Sequence, residues 1–88
     1  MKLYKHDVND YYLLDETTDN ILASGNPEHV SDVLSGILSN VLIVSGMPVS
    51  QANEHANREI DLALEIMHKE RMSVAVFGRH SFLFPEEQ

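Results

Sequence analysis

Val30, Val33, Leu34, Ile37, Leu38, Val41 and Leu42 recur at steps of three and four residues. An α-helix turns once in about 3.6 residues, so this spacing puts all of them on one stripe that must be buried against something. Both ends of that helix are marked. Asn26 can accept hydrogen bonds from the first free N–H groups, Pro27 suits the first helical position, and Glu28 meets the positive end of the helix dipole. Ser45-Gly46 offers a left-handed stop, and Pro48 prevents continuation. A second helix is predicted from residue 49 or 50 to 71, buried through Ala52, Ala56, Ile60, Ala63, Leu64 and Met67. So short a connection makes the two an antiparallel pair.

Strand signals lie on both sides of this pair. Residues 3–8 read as a short strand ending before Asn9-Asp10. Tyr11-Tyr12-Leu13-Leu14 and Ile21-Leu22-Ala23 flank Asp15-Glu16-Thr17-Thr18-Asp19-Asn20, a run of turn-forming residues, which predicts a β-hairpin with an acidic tip. After the helices, Ser73-Val74-Ala75-Val76-Phe77 and His80-Ser81-Phe82-Leu83-Phe84 read as strand on either side of Gly78-Arg79. That segment is either a hairpin or one strand bulged at the glycine. The expected fold is α+β: a single domain over residues 1–88, in the order β-β-β-α-α-β(-β), with one small antiparallel sheet packed on one helix pair.

A chain of 88 residues with 43% hydrophobic content has enough apolar surface for one core, although a domain this small buries only about two-thirds of its unfolded surface. There is no cysteine, hence no disulfide framework and no thiolate chemistry. The longest unbroken aliphatic run, residues 41–44, is far shorter than a membrane span, and the first residues lack the apolar stretch of a signal peptide. Asn-x-Ser/Thr does not occur. The expectation is a soluble, cytoplasmic, unprocessed protein.

Charge separates the function classes further. A net charge of −8 disfavours direct binding to nucleic acid or to an anionic membrane, since both rely on Lys and Arg. The bases are also unevenly placed. Residues 6–57 contain no lysine or arginine, where average usage would supply about six. Asp7, Asp10, Asp15, Glu16, Asp19, Glu28 and Asp32 fall inside that stretch, and beyond Asp7, which follows Lys5 by two residues, they have no cationic neighbour in sequence. Such a region matches a basic partner protein, or the basic groove of a nucleic-acid enzyme.

Catalytic and metal patterns are weak beside this. Asp61, Glu65 and His68 share one helical face, but a di-iron bundle needs a second Glu-x-x-His and further glutamates, and Arg58 and Lys69 border the patch. A solvated, salt-bridged face is the expected reading. No Gly-x-Ser-x-Gly elbow occurs, and the glycines at 25, 36, 46 and 78 are too scattered for a phosphate loop. Neither enzyme nor cofactor is expected.

Two surface features complete the reading. Ser31, Ser35 and Ser39 form a small-residue face beside Gly36, for which plain solvent exposure is favoured over close approach of another backbone. Phe82, Leu83 and Phe84 are apolar on both faces of their strand, which points to self-association, expected as a homodimer. The sequence as a whole predicts a small acidic protein that binds and modulates or inhibits a basic partner. The alternative is a homo-oligomeric structural or accessory module whose acidity only keeps it in solution.

Overall fold

The structure, a computed structural model, describes residues 1–77. Three strands come first: β1 (Lys2–Asp7), β2 (Asp10–Asp15) and β3 (Asn20–Gly25). Two helices follow, α1 (Pro27–Val44) and α2 (Val49–Lys69), and then a short strand β4 (Val74–Val76). The sheet runs β3-β2-β1-β4 and every pairing is antiparallel, so the fold is α+β. The second tail segment, with the turn at Gly78-Arg79 and Phe82, Leu83 and Phe84, lies outside the described residues.

The helix limits follow from local chemistry. The Asn26 side chain accepts from the His29 backbone N–H at 2.8 Å and Pro27 opens α1. At the other end, the N–H groups of Ser45, Gly46 and Met47 donate to the carbonyls of Val41, Ile43 and Leu42. Gly46 sits at φ 109°, a geometry that glycine adopts without strain. α2 ends two residues earlier than periodicity implied, because Arg71 turns left-handed at φ 57° and breaks the helical path.

Pairing alternation puts Leu3, Leu13, Ala23 and Ala75 side by side on one face of the sheet, and all four are buried. Val30, Leu34 and Leu38 from α1 and Ala56, Ile60, Ala63 and Met67 from α2 close over that face to make the core. Val33, Ile37 and Leu64 pack at its margin. The opposite face carries Tyr4, Tyr12, Leu14, Val74 and Val76, half-buried, with the Tyr4 and Tyr12 rings stacked at 4.8 Å. Two irregularities interrupt the ladders: a bulge at His6 in β1, and another at Leu22 in β3.

The serine face meets solvent only in part: Ser31 and Ser35 are half-buried and Gly36 is exposed, while the far end turns inward. Ser35 Oγ donates to Asn57 Oδ1 of α2 at 2.6 Å, and Ser39 is 6% exposed. Small side chains on α1 thus meet a helix whose buried residues include Ala52, Ala56 and Ala63, while Gly36 itself stays exposed.

Candidate functional site

The seven carboxylates singled out from the sequence fall at two opposite ends of the sheet. Asp15 pairs with Asn20 at the β2–β3 turn, whereas Tyr11 pairs with Gly25 at the far end of the same ladder. Asp15, Glu16 and Asp19 belong to the first end. Asp7 and Asp10, beside the β1–β2 turn, share the second end with Glu28 and Asp32, because β3 carries the chain back there before α1 begins. Four strand steps of about 3.4 Å separate the two, which exceeds a screening length of about 8 Å. The sets therefore present two separate potentials.

At the β2–β3 turn the acids have internal duties. Asp15 Oδ1 accepts from the Thr17 N–H at 3.0 Å, and the Asp19 N–H donates to the Asp15 carbonyl at 2.6 Å. Asp19 itself is left-handed at φ 63°, a conformation aspartate tolerates better than most residues. Glu16 pairs with the Met1 ammonium group at 2.8 Å. A hydrogen bond from that ammonium, aided by its charge and that of Lys2, holds the Glu16 carboxyl below the usual glutamate range.

The second end differs. Asp7 Oδ1 accepts from the Val8 N–H at 2.7 Å and shapes the turn. Asp10, Glu28 and Asp32 are exposed, and among the described residues their carboxylates have no hydrogen bond or ion pair. Glu28 and Asp32 lie one turn apart on α1, so they share a helix face.

Sequence reasoning missed an apolar surface at the tip of the helix pair. Val41 is 43% exposed, Val44 87% and Val49 59%. The main core ends at Leu38 and Ala56, while Leu42 and Ala52 are buried outside it, so the helices continue past the sheet. The signal was present in the unbroken run at residues 41–44, since four consecutive aliphatic residues wrap right round a helix and cannot share one buried face.

Among the described residues, no three carboxylate or imidazole groups converge as a metal site requires, and no helix is long and apolar enough to cross a membrane. No family model matches the chain, and no curated protein or solved structure matches it either.

Proposed function

We propose that this chain is a small, non-enzymatic acidic protein that binds a basic partner protein and modulates or inhibits it, with a basic nucleic-acid-binding groove as the kind of target its charge fits. The contact surface is the end bearing Asp10, Glu28 and Asp32, with Asp7 at its border. One observation carries this reading: these three carboxylates are exposed and unpaired among the described residues, while Asp15 and Glu16 at the other end are engaged internally. Exposed charge of one sign steers association, and salt screens the effect.

The test compares two triple variants on a partner isolated by salt-graded elution. Asp10→Asn/Glu28→Gln/Asp32→Asn is expected to slow association roughly tenfold at low salt, and Asp15→Asn/Glu16→Gln/Asp19→Asn to change it far less. Unchanged association in the first variant overturns the assignment. A second reading, a homo-oligomeric structural or accessory module, draws support from the outer sheet face of Tyr4, Tyr12, Leu14, Val74 and Val76, which neither helix covers.

A further inference from the structure

A cleft of about 410 Å³ opens where the end of β1 meets the segment joining α2 to β4. Its polar lining is Lys5, His6, Asp7, His68, Arg71 and Ser73. Val8 and Met72 add apolar surface, and Val8 is 68% exposed. In a chain of net charge −8, with acids outnumbering bases by more than two to one, a cation should readily find a carboxylate. Lys69 does, pairing with Glu65 at 4.0 Å. Lys5 and Arg71, like Lys2 and Arg58, have no such partner among the described residues, but Lys5 and Arg71 line one cleft together; Asp7 lines it too, with its Oδ1 accepting from the Val8 N–H.

The local backbone is irregular on both walls. The bulge at His6 interrupts the alternation of β1 where the chain enters the cleft. Arg71 adopts φ 57°, immediately after the α2 cap, at a position where glycine is the usual residue. The two walls are held in register by the Lys5 N–H, which donates to the Ser73 carbonyl at 2.9 Å. Charge near the C-terminal end of α2 would account for His68 and Lys69, which lie in its last turn. It does not account for Lys5 and His6, which belong to β1.

We propose that this cleft binds a small phosphate monoester carrying a compact apolar body. Lys5 and Arg71 pair with the phosphate oxygens, the Ser73 hydroxyl and the imidazoles of His6 and His68 supply further hydrogen bonds, and Val8 and Met72 contact the body. A phosphate suits the site better than a carboxylate, since its additional oxygens and near-double charge at neutral pH can engage cations from both walls at once.

Phenyl phosphate is the probe, followed by amide NMR shifts and calorimetry on the full chain at neutral pH, with phenol as the uncharged control. Phenyl phosphate is expected to shift residues 5–8 and 71–73, and phenol to leave them unchanged. Arg71→Gly removes a cation while supplying the residue its backbone geometry favours, so the variant should fold at least as well and yet bind phenyl phosphate about tenfold more weakly. Lys69→Gln, outside the cleft, should bind as the unsubstituted chain does. Full affinity in a folded Arg71→Gly, equal binding of phenol, or an equal loss in Lys69→Gln would each overturn the proposal.

Discussion

Glu16 shows how an acid that looks unopposed in sequence acquires a partner through folding. Residues 6–57 hold no lysine or arginine, yet the β2–β1 pairing brings the chain's own ammonium group within 2.8 Å of its carboxylate, and Lys2 adds charge nearby. The pair is solvent-exposed, with the Glu16 side chain 42% accessible, so its worth should stay under about 1 kcal/mol. Its pH dependence has a definite sign. The folded-state pKa is depressed, so the contribution is present above the unfolded glutamate value and is lost as pH falls through the lower folded one. Urea unfolding of Glu16→Gln should therefore give slightly lower stability than the parent at pH 7, and a gap that closes below the ordinary glutamate range. A gap that stays constant through that range would mean that Glu16 acts through packing instead.

The helix pair was the most legible element and also the one most misjudged at its interface. Asn26, Pro27, Gly46 and Pro48 act on backbone groups close to them in sequence, so α1 could be bounded without any tertiary knowledge. The serines could not be assigned in that way. Small polar side chains suit solvent and a close helix contact equally, and only the alanine-rich α2 alongside decides between them. This difference has measurable consequences. Leu38, 2% exposed within the core, should lose about 2–5 kcal/mol on substitution by Ala. Ser39 is buried beside it in sequence, and its hydroxyl has no hydrogen-bond partner among the described residues. Burying an unpaired hydroxyl costs about 1–3 kcal/mol, so Ser39→Ala is expected to leave stability unchanged or to raise it. Chemical denaturation of both variants checks the contrast. A large destabilisation by Ser39→Ala would mean that this hydroxyl is bonded in solution.

At the scale of the whole molecule, strand order decides what sequence proximity could not. Asp19 and Glu28 are close in the chain, but β3 lies between them and delivers them to opposite ends of the sheet, so one acidic stretch becomes two separate surfaces. A six-residue strand spans about 20 Å, so the separation follows from the β2–β3 hairpin, which the sequence indicates; grouping the acids by proximity in the chain leaves that strand length out. The sheet's second face is also a whole-molecule matter. If copies associate through Tyr4, Tyr12 and Leu14, light scattering should report a dimer at high micromolar concentration, and Tyr12→Lys should return it to monomer. A strict monomer in the parent chain would remove the oligomeric reading. The placement of β4 has a further effect, in time rather than in space. β1 leaves the ribosome well before β4, yet its second edge is completed only by Val74, Ala75 and Val76. Until β4 is made, the hairpins and helices can assemble while Lys2, Leu3 and Tyr4 keep one row of backbone groups open, and the nascent chain passes through a stage in which the strand at the centre of the finished sheet is still an unguarded edge.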